Sequence, residues 1–146
     1  MEINEKLIED VVRRILKDTL NPSNNYKTID KSGIIAIDTK KVKTEKFPFS
    51  IPTDKVTLRD VLTLEESPRM GLGVMEIDND QLEWTLKYDE VDYIIEGTLE
   101  IIVDGRSIVA NEGQMIYIPK NSKIIFKSPN KSRFIYVVYP ADWADL

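Results

Sequence analysis

Between residues 3 and 16 apolar side chains return every third or fourth position: Ile3, Leu7, Ile8, Val11, Val12, Ile15 and Leu16. Glu5, Lys6, Glu9, Asp10, Arg13, Arg14 and Lys17 fill the remaining places. On a helix that spacing collects the apolar groups into one stripe. Asn4 is placed to cap its start, and Asn21-Pro22 predicts its end. The following Pro-Ser-Asn-Asn reads as a turn or short linker, so the chain divides into residues 1–22 and 23–146. Two readings of the helix stand. It packs its stripe against the following domain or a dimer partner, or it docks on another protein. Both charge signs on its polar face, where a membrane-surface helix shows a cationic band, disfavour the lipid surface.

From about Gly33 the pattern changes to short apolar or alternating runs. Gly33–Asp38 suits a strand, the charged stretch from Lys40 to Pro52 a loop or edge connection, and Val56–Leu62 fits either a strand or a helical turn. Further strands are predicted at Gly73–Asp78, Leu82–Tyr88, Asp92–Ile95, Leu99–Val103, Arg106–Ala110, Met115–Ile118, Ile124–Lys127 and Phe134–Tyr139. Asp104-Gly105 predicts a two-residue hairpin, since both residue types tolerate positive φ. So many short strands at close spacing predict a mainly β sandwich or barrel.

Composition narrows the chemistry. The 146 residues suit one domain that buries roughly two-thirds of its unfolded surface. A net charge of −5 without a basic patch argues against a nucleic-acid partner. The chain contains no cysteine and no histidine, which excludes thiol catalysis, disulfides and imidazole- or thiolate-bound transition metals. No basic leader and no apolar run of about 20 residues is present, so a cytoplasmic protein with no membrane contact is expected.

Two stretches carry a family resemblance. Trp84-Thr-Leu-Lys-Tyr-Asp-Glu-Val-Asp-Tyr-Ile-Ile-Glu-Gly97 resembles the first cupin motif, with Glu90 and Gly97 at the family spacing. Gly113-Gln-Met-Ile-Tyr-Ile-Pro119-Lys-Asn121 resembles the second, with Asn121 where glycine is usual. The metal-binding histidines of the family are replaced. Their first-motif positions fall on Trp84 and Leu86, or on Glu83 and Thr85 with a loop one residue longer, and Ile124 takes the second-motif place. The phrases Trp-Thr-Leu-Lys-Tyr-Asp-Glu, Tyr-Ile-Pro-Lys-Asn-Ser and Tyr-Val-Val-Tyr-Pro-Ala-Asp-Trp143 are similar to the EutQ family of ethanolamine-utilisation proteins, from about Val56 to Trp143. The fold this implies is a single jelly-roll-like cupin β-barrel behind an N-terminal helix. The resemblance further implies a cytosolic homodimer associated with the bacterial microcompartment, residues 1–20 docking on shell proteins. It also implies acetate kinase activity, interconverting acetyl phosphate and ADP with acetate and ATP.

The candidate site follows from strand parity. The cupin motif aims Glu90 inward, so Asp92 shares its side, and Trp84, Leu86 and Tyr88 follow if no bulge intervenes. Ile124 and Phe126 point inward, with Ser122 at the mouth. Neighbouring buried carboxyls disfavour double ionisation, which would make Glu90 and Asp92 an acid or base pair with Tyr88 as hydrogen-bond donor. The same oxygens are the candidate ligands for Mg²⁺. Trp84, Ser122, Lys123 and Phe126 are the candidate ligand-binding residues for a small carboxylate or acyl phosphate. Lys120 and Arg133 are further cations on the second-motif side, where solvated surface is the commoner role. Trp143 reads as core. The chain lacks a Gly-rich phosphate cradle opening a helix. A kinase, a small-molecule sensor without turnover and a microcompartment assembly factor therefore all stay open.

Overall fold

The structure, a computed structural model, describes residues 4–20 and 25–146, with side chains for all of these except 14–20. It divides into two units, residues 1–43 and 44–146.

The first unit begins with helix α1 (Glu5–Leu20). Asn4 caps it as its sequence position predicts: Oδ1 accepts from the Lys6 amide at 2.9 Å, satisfying a donor that no helical carbonyl can reach. Glu9 and Arg13, one turn apart, form an exposed ion pair at 2.5 Å. Leu7, Ile8, Val11 and Val12 of the apolar stripe are exposed. Ile3, the side chains of Ile15 and Leu16 and the Asn21-Pro22 stop lie outside the described residues. A short antiparallel hairpin follows, β1 (Lys27–Ile29) against β2 (Ile35–Ile37). Its turn is organised by Asp30, whose side chain accepts from the Ser32 amide at 2.9 Å.

The second unit is built from ten strands: β3 (Glu45–Lys46), β4 (Val56–Asp60), β5 (Gly71–Asp78), β6 (Gln81–Thr85), β7 (Asp89–Glu96), β8 (Thr98–Val103), β9 (Arg106–Asn111), β10 (Met115–Ile118), β11 (Lys123–Lys127) and β12 (Lys131–Tyr139). They form two antiparallel sheets, in the orders β10-β7-β12-β5-β4-β3 and β6-β11-β8-β9. The expected jelly-roll-like architecture is present, as two facing sheets that do not close into a barrel: among the described residues no ladder joins them. The Val56–Leu62 ambiguity resolves to strand β4, which has β5 as its partner from Val56↔Ile77 to Asp60↔Gly73. Asp104 and Gly105 close the β8–β9 hairpin with φ of 50° and 74°, the mirror-image turn their residue types favour.

Alternation explains the core. On β12, Ser132, Phe134, Tyr136 and Val138 are buried and the residues between them face outward or lie half-buried. On β7, Glu90, Asp92 and Ile94 face inward between exposed Val91 and Tyr93. Facing residues from the other sheet include Leu82, Leu99, Ile101, Ile124 and Phe126, which complete one apolar core. Gly97 ends β7 with φ of 75°, and a Cβ there would stand 2.1 Å from the carbonyl oxygen of Lys131. Asn121, at the position where the motif usually has glycine, adopts φ of 72° and so meets the same backbone demand. Among the described residues no helix is long and apolar enough to cross a membrane.

Candidate functional site: an acid chamber behind an aromatic wall

Strand β7 carries two carboxyl groups into the interior. Glu90 is 5 % exposed and Asp92 is fully buried. Their separation of two residues puts both on the inner face of the strand. Oε2 of Glu90 and both carboxyl oxygens of Asp92 have no hydrogen-bond partner. Burial pushes the Glu90 carboxyl up to about 7, an effect partly offset by its interaction with Asp92. Asp92 is raised well above the usual carboxylate range, by burial first and then by the charge of Glu90. Burial thus raises both carboxyls, and the pair disfavours double ionisation.

Glu90 opens onto a small chamber between the sheets, with about 20 Å³ open to the centre of a water molecule. That is room for roughly one water. Its walls are mostly apolar, among them Phe47, Leu58, Met75, Phe126 and Val138, with the rings of Trp84, Tyr88, Tyr136 and Trp143. Asp92 does not line the chamber and communicates with it through Glu90. Phe126 faces inward as its parity predicts, and its ring stacks on Phe134 at 6.4 Å.

The aromatic wall is pinned by polar contacts. Trp84 Nε1 donates to the Tyr88 hydroxyl at 2.8 Å. Tyr136 donates its hydroxyl to Asp60 Oδ1 at 2.5 Å, and Trp143 Nε1 donates to the same oxygen at 3.2 Å. Burial raises the Tyr88 and Tyr136 phenols far above their ordinary range, helped by Glu90 at Tyr88 and by Asp60 at Tyr136, so both remain protonated. Trp143 packs edge-on against Phe49, Trp84, Tyr88 and Tyr136 at centroid separations of 5.8 to 6.5 Å. It is buried, as the reading of it as core predicts.

Beyond Trp84 and Trp143 lies an open groove of about 650 Å³, bordered by Lys87, Lys123, Glu83 and Asp104 with Ile102 and Ile125 between. Lys123 is exposed there. Ser122 borders neither space, and its hydroxyl donates to the Pro119 carbonyl at 2.6 Å within the turn. Lys120 sits on the same turn, its amide bonded to Asp89 at 2.9 Å. Arg133, a half-buried residue of β12, pairs with Glu76 at 2.5 Å and borders neither the chamber nor the groove. The structure thus gathers Trp84, Tyr88, Glu90 and Phe126 around one cavity, with Asp92 behind them. Asp60 and Tyr136 enter this site although sequence reasoning assigned them no part in it. Asp60 lies 83 residues from Trp143, so no local pattern joins them.

Glu90 and Asp92 offer oxygen donors to a cation but little space for one. Their oxygens are of the right chemical kind, but the chamber admits about one water, whereas Mg²⁺ keeps several in an octahedral shell. Among the described residues no group of three or more metal-ligating side chains converges. The chamber does not fit a resident magnesium ion.

Comparison with known proteins agrees with these features. The family model described as ethanolamine utilisation protein EutQ matches residues 3–145. The chain belongs to the EutQ family. It is 46% identical to the protein named "Acetate kinase EutQ" of Clostridioides difficile strain 630, covering 97% of this chain and 95% of that one. It is 35% identical to the Salmonella typhimurium protein of the same name, covering 97% of this chain but 64% of the longer relative. The solved structure of the Clostridium difficile EutQ protein superposes with a TM-score of 0.77 at 50% identity, covering 81% of this chain and 88% of that one. A cupin domain is also among the structures that share the fold.

Proposed function

We propose that this EutQ-family chain is an acetate kinase, passing a phosphoryl group between acetyl phosphate and ADP to give acetate and ATP. The observation that carries the reading is its 46% identity, over nearly the whole of both chains, to a protein bearing that name. The acid chamber supplies residues suited to such a step. In the ATP-forming direction the bond from phosphorus to the acetate oxygen breaks, and an oxygen of ADP forms the new one. Acetate leaves with the electron pair. Glu90, held near neutrality by burial, donates a hydrogen bond to the leaving oxygen when protonated, where an ionised carboxylate would repel it. Asp92 behind it, its carboxyl also raised by burial, disfavours a second negative charge beside the substrate. The mostly apolar walls suit a methyl group better than a charged one.

Lys87 and Lys123 in the adjoining groove offer cations to phosphate oxygens. Magnesium enters this scheme with the nucleotide, as part of the substrate. Formation of ATP from acetyl phosphate and magnesium–ADP tests the reading: activity that coelutes with the folded chain supports it, and a pure, folded, inactive protein rejects it.

A second reading has its own observation. Four apolar residues on one face of α1 are exposed, namely Leu7, Ile8, Val11 and Val12. They favour a role in assembly, with residues 1–20 docking on microcompartment shell proteins and the β domain forming a homodimer. Deleting residues 1–20 separates the two readings. Shell association is lost under the assembly reading, and ATP formation persists under the kinase reading.

A further inference from the structure

Taking the acid chamber as the reacting site, as proposed above, leaves a problem of access. Glu90 faces a space for about one water, while an acyl phosphate is several times larger. Trp143 borders both the chamber and the outer groove, so its indole is part of the partition between them. It belongs to the segment that follows β12, residues 140–146. The backbone hydrogen bonds of that segment are internal, Asp145 N to Asp142 O and Leu146 N to Trp143 O. Among the described residues its hydrogen-bonded hold on the sheets is the indole bond to Asp60 Oδ1, 3.2 Å long. Ring packing against Phe49, Trp84, Tyr88 and Tyr136 supplies the rest.

We propose that Trp143 is the gate of the acid chamber and that Asp60 is the positioning residue that latches it. Swinging residues 140–146 outward breaks one side-chain hydrogen bond and several edge contacts and exposes the buried Trp143 indole, but disrupts no strand pairing. Such an opening is local and costs less than global unfolding. It joins the chamber to the groove and gives a phosphorylated substrate a path to Glu90. Asp60 stands at the end of β4 with Oδ1 also accepting from Tyr136. The latch and the fixed chamber wall therefore share one acceptor. A gate of this kind admits substrate and then excludes water from the reacting phosphoryl group.

The test is chemical labelling of Glu90 by a water-soluble carbodiimide and an amine, followed by peptide mass spectrometry over a range of low urea concentrations. Asp60→Ala removes the latch acceptor and is expected to raise the labelling rate at Glu90 at least ten-fold. Trp143→Phe keeps a ring but loses the donor and moves the rate in the same direction. Asp60→Asn retains an acceptor oxygen and stays within about threefold of the parent chain. Accelerated labelling with little dependence on urea marks local opening. Equal rates in parent, Asp60→Ala and Trp143→Phe overturn the gate. So does acceleration that rises with urea as steeply as global unfolding. Labelling needs no turnover, so the two ideas fail separately. A latched chamber in a protein that makes no ATP fells the kinase reading and leaves the gate, and normal ATP formation with indifferent labelling does the reverse.

Discussion

Trp84 donates its indole hydrogen to the hydroxyl of Tyr88 across 2.8 Å, joining β6 to the residue that immediately precedes β7. Both rings border the acid chamber. Tyr88→Phe removes the acceptor and leaves the half-buried indole N–H unpaired. The expected cost is about 1 kcal/mol. Urea unfolding checks it as a lower midpoint at unchanged slope. An unchanged midpoint would show that the bond contributes nothing net.

The raised carboxyl of Glu90 makes stability depend on pH in a defined direction. Its folded value of about 7 stands above the ordinary 4.5, so between those limits the folded chain binds more protons than the unfolded one. Glu90 therefore contributes stability that is fully present below about pH 4.5 and is lost as the pH rises through about 7. Asp92 acts in the same direction. The loss has a limiting slope of roughly 1.4 kcal/mol per pH unit for one proton. Unfolding free energies measured from pH 4.5 to 8 fall in the parent chain, and Glu90→Gln flattens part of the decline.

Much of this was legible in the chain. Apolar alternation predicts most of the strands of the two sheets, Asp104-Gly105 predicts the β8–β9 turn, and the spacing of Glu90 and Gly97 predicts the inward carboxyl. Strands β1 and β3 were not, since three and two residues are too short to show a period. Nor does alternation along a strand distinguish a closed barrel from two facing sheets, because both bury every second side chain. The latch escapes sequence reasoning for a different reason. Asp60 and Trp143 meet only after β12 has paired with β5, and β5 with β4.

Gly97 offers a sharp test of the backbone at the end of β7. With φ of 75° and the Lys131 carbonyl oxygen 2.1 Å from the position of a Cβ, alanine adds both strain and a clash with main chain. Gly97→Ala is expected to destabilise the fold by roughly 3 kcal/mol or more. A chain of this length then melts lower by roughly 6–12 °C. Calorimetry showing a shift of a degree or less would contradict the assignment.

The central claim is that phosphoryl transfer takes place at the acid chamber. The rate of ATP formation from acetyl phosphate and magnesium–ADP, in the parent chain and in folded Glu90→Gln, tests it most directly. Glutamine keeps the size of the side chain but cannot carry the titrating proton, so kcat is expected to fall about 100-fold or more. Equal rates in the two proteins would contradict the account and remove Glu90 from the reaction.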